Sequence, residues 1–448
     1  MGEVAVPATA RWGAQTQRAI ENFPVSGRTV PPSLIHALAQ IKAEAARENV
    51  RRGVLAQPLG DAIAEAADRV AGGEFDDQFP VDVFQTGSGT STNMNMNEVV
   101  ASVASAMLGK AVHPNDEVNA SQSSNDVFPS AIALAATHAL ATRLRPALVS
   151  LAATFSSKAR QFATIVKAGR THLMDATPIT LGQEFSGYAS QAEAAIARLD
   201  DTAPRVACLA LGGTAVGTGL NAPAGFGASL TARLAERSGL ALTETPNHFA
   251  AQAAPEAFLE LSGQVRTAAM GLHKIADDLR WMASGPTAGL GEIHLPDLQP
   301  GSSIMPGKVN PVIPEVVAQV AAQIVGNDAT IAFALARGSF ELNTYLPVIA
   351  LNLLESIELL AAAVALLDAR CVAGIEADEE RCRAYAESSP AVATALNLLL
   401  GYDVVAGLLK ESLASGRSVS VLAHDAGLAT AEQLAGLADV LSLTRPTT

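Results

Sequence analysis

The sequence predicts a mainly α-helical protein. Of its 448 residues, 49% are apolar but only 4% are aromatic, so alanine, leucine and valine make up most of the core. These residues suit closely packed helices, because alanine and leucine lose little side-chain freedom in a helix. Segments with helical spacing of apolar residues fill the middle of the chain, and short polar loops separate them. The length allows two or three domains.

Changes of pattern along the chain predict three domains. Residues 1–122 mix short helical patterns, such as Leu34 to Asn49 and Gly60 to Ala71, with loops rich in Gly, Ser, Thr and Asn. Residues 123–378 hold the long helical segments. Residues 379–448 form a smaller, more polar helical end piece.

One segment of the middle domain carries a sustained heptad pattern. Its apolar residues alternate at spacings of three and four: Phe258, Leu261, Val265, Ala268, Leu272, Ile275, Leu279 and Met282. This seam predicts a long helix that packs against others at a shallow angle. We expect four further long helices: Pro129 to Val166 with a bend at Pro146, Thr180 to Leu209, Pro314 to Leu335, and Leu346 to Ala373.

Five long helices in one region indicate a helical bundle. Several are apolar on more than one face, as in Ala361 to Leu367, and such helices must be surrounded. A single five-helix bundle cannot surround them all, so we expect oligomerisation through the bundle. The most apolar stretch, Leu346 to Leu367, carries Asn352, Glu355 and Glu358, which would be costly in a bilayer. We therefore expect protein, not lipid, around it.

Charge and cysteine content exclude several classes of protein. The 30 basic and 44 acidic residues leave a net charge of −14, which disfavours nucleic acid or anionic membrane as a partner. Cys208, Cys371 and Cys382 are too few and too scattered for a disulfide framework or a zinc site, which fits a reducing compartment. Met1 to Pro7 has no basic start followed by an apolar run, so we expect no signal peptide and a cytoplasmic protein.

Two polar loops precede the long helices. In Thr86 to Glu98, small glycines let backbone amides approach a ligand, and hydroxyl and amide side chains add neutral donors. Capping of a helix near Asn93 is the alternative interpretation. His113 to Asp116 and Ser121 to Asp126 form a second donor-rich region ahead of a helix near Pro129, and a helix start attracts anions. Here too, capping or a structural histidine would explain the residues.

Two more polar loops lie between long helices. Gly169 to Ala176 contains His172, which is more often structural when alone but gains weight from its place in a polar loop. Gly301 to Pro311 has glycine near both ends, which suggests mobility. Its Lys308 is one of only seven lysines in the chain, and with Asn310 it precedes the helix expected near Pro314. Glu315 follows at that helix start. A solvated loop is the alternative.

The chemistry that these loops support is proton transfer on a small dicarboxylate. No set of His, Cys, Asp and Glu has metal-ligand spacing, and neither a Walker-type loop nor a nucleophile elbow is present in the sequence. We therefore expect no metal and no cofactor. Hydroxyls, amides, one lysine, one histidine and one glutamate remain, and they suit general acid–base catalysis.

The loop Gly301 to Asn310 resembles the signature loop of the fumarase and aspartase superfamily. The other polar loops match in the same order, so the resemblance covers nearly the whole chain. Aspartases generally carry Gln at the position of His172. Three segments are similar to fumarases: Gly169 to Leu173, Thr86 to Thr90, and His113 to Asp116. Pro311 to Glu315 resembles the aspartase continuation, which some fumarases share.

This resemblance implies a metal-independent enzyme that adds water reversibly, and in the anti sense, to fumarate to give (S)-malate in the tricarboxylic acid cycle. It also implies a three-domain, mainly α fold and a homotetramer with a twenty-helix core, in which three subunits build each active site. The partners would be the dicarboxylate and further copies of the chain. An aspartate ammonia-lyase and a catalytically silent structural protein of the superfamily are the alternatives. His172 disfavours the first, and intact Ser302, His172 and Lys308 disfavour the second.

The resemblance also assigns roles to individual residues. Ser302 is the base for the proton at C3, acting as an alkoxide, so Lys308 and the loop amides must lower the pKa of its hydroxyl. His172, oriented by Glu315, handles the water at C2. The residues that hold the substrate are Ser88, Gly89, Thr90, Ser123, Ser124, Asn125, Thr171, Ser303, Lys308, Val309 and Asn310. A second anion site is formed by Lys110, His113, Pro114, Asn115 and Asp116.

Overall fold

The protein is described by a computed structural model that covers residues 2–445, except for the side chains of residues 435–438. Met1 and residues 446–448, which belong to the predicted first and last domains, lie outside the described residues. The chain divides into two compact units, each built from three stretches. Unit 1 comprises Met1–Ala147, Ala195–Met270 and Gln319–Ala362. Unit 2 comprises Leu148–Ala194, Gly271–Ala318 and Ala363–Thr448.

Helices dominate the described chain, which confirms the mainly α prediction. In chain order they are α1 (Ala14–Asn22), α2 (Pro32–Arg51), α3 (Gln57–Ala71), α4 (Thr90–Leu108), α5 (Ser124–Ala139), α6 (Arg145–Gln161), α7 (Leu181–Val206), α8 (Phe226–Ser238), α9 (His248–Ala253), α10 (Glu256–Met282), α11 (Val312–Leu335), α12 (Leu346–Arg370), α13 (Glu379–Ser388), α14 (Asn397–Leu400), α15 (Tyr402–Ser415), α16 (Val419–Asp425) and α17 (Ala431–Ala438).

The strands of the described chain are short and pair in twos. They are β1 (Val166–Thr171), β2 (Met174–Thr180), β3 (Cys208–Leu209), β4 (Thr243–Glu244), β5 (Ile293–His294) and β6 (Glu376–Ala377). The pairs β1–β2 and β5–β6 are antiparallel, and β3–β4 is parallel. Strands this short form no continuous sheet, so helix packing supplies the core.

Helix α2 is central to unit 1, where it packs against α3, α5 and α8. Its Leu34, Leu38 and Ile41 follow the helical period and are completely buried. Pro32 stands at the start of this helix, where a missing N–H costs nothing. Helices α2 and α3 confirm the two short patterns predicted for this region.

The heptad seam is confirmed in α10, because each of its eight apolar residues is at most 4% exposed. Helices α7, α11 and α12 also match the prediction to within a few residues. The segment expected to be helical from Pro129 to Val166 is different. Helix α5 begins earlier, at Ser124, a π-helical turn over Leu140–Leu144 joins it to α6, and the helix stops at Gln161 before β1.

Unit 2 has an aromatic core between α6 and α7. Phe155, Phe162, Phe185 and Tyr188 meet edge to face, with ring centroids 5.3 to 6.2 Å apart. This geometry places the positive edge of one ring against the negative face of another. Phe162 lies shortly before β1 and Phe185 shortly after β2 in the chain, and Gly182 N donates to the carbonyl oxygen of Phe162 at 2.9 Å, so the cluster lies next to the base of the β1–β2 hairpin.

Three helical stretches are long and apolar enough to cross a membrane by length and composition alone: Ser124–Gln161, Val312–Leu335 and Leu346–Gly374. The chain itself buries 78%, 33% and 61% of their most apolar windows, so Val312–Leu335 is the least covered. Its Val316, Val325 and Phe333 are exposed. These apolar side chains on α11 are left uncovered by the chain itself.

Candidate active site

The first polar loop is held in unit 1 by two glycines that leave no room for a side chain. Gly89 has φ +76° and directly precedes α4, and a Cβ on it would lie 2.3 Å from the ring of Phe128. A Cβ on Gly87 would lie 1.8 Å from the carbonyl oxygen of Thr344. The glycines therefore allow a close backbone approach that fixes the start of α4.

Three hydroxyls form a hydrogen-bonded cluster at the starts of α4 and α5. The Oγ atoms of Ser88 and Ser124 each lie 2.7 Å from Thr90 Oγ1. Ser88 is buried, and the other two are partly buried. Because both helices present unsatisfied N–H groups at their first turns, this hydroxyl cluster lies where an anion is favoured. Unit 1 thus brings together three of the predicted substrate-binding residues.

Ser123 and Asn125 are occupied within the chain. Ser123 caps α5, accepting a hydrogen bond from Asn125 N at 3.3 Å, and Asp126 completes the capping box by accepting from Ser123 N at 2.9 Å. The Asn125 amide donates to the carbonyl oxygen of Ala215 at 2.7 Å. These side chains stabilise the shape of the loop, while substrate contact by them stays a prediction.

The predicted second anion site is a π-helical turn over Pro114–Val118 in unit 1. His113 Nδ1 accepts a hydrogen bond from Asp116 N at 3.0 Å, and its backbone N–H donates to Glu117 at 2.7 Å. Lys110 and Asn115 are exposed. The same Nδ1 lies 3.1 Å from Asp116 Oδ2, while Nε2 makes no hydrogen bond with the described residues.

The third polar loop is a β-hairpin, so its description as a loop was wrong. Strands β1 and β2 pair from Val166↔Thr180 to Thr171↔Met174, and His172 and Leu173 form the two-residue turn. Both turn residues have positive φ, 56° and 61°, as a tight hairpin turn requires. His172 and Thr171 are exposed at the tip. The His172 ring makes no hydrogen bond or ion pair with the described residues.

The fourth polar loop is closed on itself in unit 2. Gly301 N donates to the carbonyl oxygen of Lys308 at 2.6 Å, and the Asn310 amide donates to the carbonyl oxygen of Gly301 at 3.1 Å. Inside this closure, Ser302 Oγ accepts hydrogen bonds from the backbone N–H groups of Ile304 and Met305, both at 3.2 Å. Two donors on one hydroxyl oxygen stabilise a negative charge there.

Lys308, Asn310 and Glu315 line one cavity of about 660 Å³ in unit 2, together with Asp277, Arg280 and Trp281. The Lys308 ammonium is exposed and has no ion-pair partner among the described residues. Neither Ser302 nor His172 lines this cavity. In the described chain no hydrogen bond or ion pair joins His172 to Glu315, so their pairing stays a prediction.

A buried lysine behind the unit 1 loops was missed from the sequence. Lys42 in α2 is completely buried, and its Nζ donates to Asn119 Oδ1 at 2.8 Å. The same oxygen accepts from the amides of Asn93 and Asn97 at 3.2 Å. Burial lowers the pKa of Lys42 to about 7, and the negative charge of Asp126 opposes that shift only in part. A lysine on the apolar face of a helix, four residues after Leu38, was the available signal.

Replacing Lys42 with methionine is expected to change how stability depends on pH. The pKa of Lys42 is about 7 in the folded chain, against an ordinary value of 10.5, so the unfolded chain binds more protons between these pH values. Wild-type stability therefore gains from this lysine's deprotonation as pH rises through that window. In urea unfolding, the free energy of unfolding of the wild type should increase relative to that of K42M from pH 7 to pH 10. The exposed Lys410→Met controls for a lost surface charge, and a difference independent of pH would contradict the expectation.

The fold and the polar loops together define a lyase. A family model described as lyase matches residues 2–326, and one described as fumarase C C-terminus matches residues 392–445. A class II fumarate hydratase from Mycobacterium tuberculosis is 56% identical over 96% of this chain and 90% of the relative. One from Corynebacterium efficiens is 52% identical over 97% and 92%. The chain belongs to the class II fumarate hydratase family.

Solved structures agree with this assignment. A crystal structure of recombinant class II fumarase from Schistosoma mansoni matches with a TM-score of 0.97 at 37% identity, covering 100% of this chain and 98% of that one. A fumarate lyase:delta crystallin from Brucella melitensis, bound to cobalt, matches with a TM-score of 0.93 at 46% identity, over 98% and 97%. The fumarase-type fold predicted from the polar loops is confirmed.

Proposed function

We propose that this chain is a fumarate hydratase, which adds water reversibly, in the anti sense, to fumarate to give (S)-malate. The observation that carries the proposal is the closed loop from Gly301 to Asn310, where Ser302 Oγ accepts two backbone hydrogen bonds. The relatives named class II fumarate hydratase support the choice of substrate. An assay of the purified protein tests it directly: malate should yield fumarate, followed by its ultraviolet absorbance.

The reaction needs a base at C3, donors for the adjacent carboxylate and an acid for the leaving hydroxyl. The C3 proton of malate is weakly acidic, and the carboxylate next to it takes up charge as an aci-carboxylate when the proton leaves. Ser302 is the proposed base. The two loop N–H groups and the positive charge of Lys308 in the same loop favour its alkoxide form.

Water is handled on the other face of the double bond, as anti addition requires. We assign this step to His172, oriented by Glu315. Because one chain does not join these two residues, the proposal places them in different subunits of a homotetramer, with three subunits building each site. The exposed Val316, Val325 and Phe333 on α11 support it, since another copy would cover this apolar surface.

The substrate carboxylates are assigned to neutral donors and one lysine. The hydroxyl cluster of Ser88, Thr90 and Ser124 lies at two helix starts, which supports the binding of a substrate carboxylate there. The remaining proposed contacts are Gly89, Ser123, Asn125, Thr171, Ser303, Lys308, Val309 and Asn310. The turn near His113, with Lys110, Pro114, Asn115 and Asp116, remains the proposed second anion site.

Aspartate discriminates the proposed enzyme from an ammonia-lyase. Fumarate should form from malate and not from aspartate, because His172 occupies the position where aspartases generally carry Gln. Fumarate formation from aspartate alone would overturn the proposal. Failure with both substrates would instead support a catalytically silent member of the superfamily.

Activity is expected to survive treatment with EDTA. In the proposed mechanism, loop amides and Lys308 stabilise the developing charge, so no step depends on a metal ion. The measurement is the initial rate of fumarate formation before and after chelation and desalting. A rate that falls on chelation and returns with an added divalent metal would contradict this mechanism.

We also assign the enzyme to the cytoplasm, in keeping with three free cysteines.

A further inference from the structure

Glu292 is a completely buried carboxylate that the mechanism above does not use. It stands directly before β5, in the segment that leads from α10 to the loop of Ser302. Its Oε1 and Oε2 accept hydrogen bonds from Arg170 Nη2 and Nη1, each at 2.9 Å. Lys167 Nζ lies 3.6 Å from Oε2. A bidentate guanidinium–carboxylate pair is strong and geometrically specific.

Both cations belong to β1, the first strand of the hairpin that carries His172. Arg170 pairs with Asp175 across the hairpin and precedes His172 by two residues. At the tip, His172 makes no side-chain hydrogen bond in the described chain, and Leu173 and Met174 are about 70% exposed. The Arg170–Glu292 pair is therefore the side-chain anchor nearest to His172 on its own strand.

The backbone of Glu292 is anchored as firmly as its side chain. Its N–H donates to the carbonyl oxygen of Met282, the last residue of α10, at 2.8 Å. Its carbonyl oxygen accepts from Asp378 N at 3.0 Å and from Cys382 Sγ at 3.4 Å. One residue thus ties the hairpin to the end of α10 and the start of α13, both fixed by packing.

We propose that Glu292 is a positioning residue, which holds Arg170 and thereby sets the place of His172 for the water step. The inference rests on the proposed function, because it assumes that His172 acts at C2. A buried ion pair adds little net stability, so the property of this pair that the proposal uses is its fixed geometry. Catalysis needs such precision, since a displacement of about 1 Å can cost roughly 10²-fold in rate.

The proposal predicts a specific change in partitioning, not only a slower enzyme. Ser302 removes the C3 proton first, and the aci-carboxylate then either loses its hydroxyl or returns to malate. A displaced His172 slows loss of the hydroxyl, so more of the intermediate returns and takes up deuterium from the solvent. The ratio of deuterium exchange at malate C3 to fumarate formation therefore rises. General destabilisation of the fold would lower both rates together.

The test compares Glu292→Gln, which keeps the volume and removes the charge, with Glu184→Gln. Glu184 is partly exposed, accepts from Lys167 at 2.7 Å and does not bond Arg170, so its replacement removes a carboxylate of the same network without breaking the Arg170 pair. We expect Glu292→Gln to lower kcat by roughly 10- to 10²-fold, to change KM less and to raise the exchange ratio. Glu184→Gln should leave the ratio unchanged. Arg170→Met should match Glu292→Gln, and the double variant should lose little more.

His172→Asn is the reference that separates two kinds of failure. If His172→Asn raises the ratio and Glu292→Gln does not, the positioning role of Glu292 is wrong while the proposed function stands. If His172→Asn leaves the ratio unchanged, the assigned role of His172 is wrong, and the inference goes with it. Should Glu292→Gln fail to fold, Arg170→Lys keeps the charge but not the bidentate geometry and carries the same prediction. A wild-type ratio in that variant would equally overturn it.

Discussion

Replacing Ser302 with alanine is expected to lower kcat by roughly 10²–10⁴, the usual worth of a positioned proton-transfer group. The change removes one hydroxyl and leaves Lys308, Asn310 and the hydroxyl cluster of Ser88, Thr90 and Ser124 in place. Binding of a dicarboxylate inhibitor should therefore change far less than the chemical step. The neighbouring Ser303→Ala is the matched control, because it removes the same atom from the same loop without touching the base. Its main effect should be on KM.

Solvent-deuterium exchange at malate C3 identifies the step that each variant loses. The Ser302 variant should lose exchange, because no base remains to remove the proton. His172→Asn should also lower kcat but keep part of the exchange, because it acts on the water side. If the Ser302 variant exchanges the C3 proton at the wild-type rate, Ser302 is not the base, and the assignment of roles would have to be reversed or abandoned.

Dissociation of the proposed tetramer is expected to abolish activity, since the proposed sites take residues from three subunits. Val325→Asp puts a charge on a side chain of α11 that is exposed in the single chain. The isolated subunit should tolerate this charge, but an interface that buries it should not. Light scattering and the malate assay should show smaller species without activity. Leu413→Asp, at an exposed leucine of α15, is the matched control. A fully active monomer would refute the shared site.

Mixing two inactive variants tests the sharing of sites more directly. If His172 and Ser302 of one site come from different subunits, a tetramer formed from both variants contains some sites with both residues intact. Unfolding and refolding the Ser302→Ala and His172→Asn chains together should then restore activity that neither regains alone. No recovery, with mixed tetramers shown by mass spectrometry, would place both residues in the same subunit.

Local patterns were enough to predict most of the long helices and three of the four polar loops. The heptad seam of α10 could be recognised in the sequence because apolar residues recur every three or four positions along one buried face of the helix. The loop around Ser302 could be recognised because its proposed function requires particular residue types within ten positions. The hairpin around His172 was not recognised. Its turn uses His and Leu at positive φ instead of Asn-Gly, a bulge interrupts β1 between Ala168 and Gly169, and Pro178 lies in β2.

The sequence by itself therefore determined the fold class, the family and the candidate reactive side chains of this protein. Only the tertiary structure decided which buried charges belong together. Arg170 and Glu292 are 122 positions apart, and Lys42 meets Asn119 across 77 positions. No local period relates residues at such distances. Their pairing depends on how the elements pack, because a buried charge is tolerated only where another element supplies its partner.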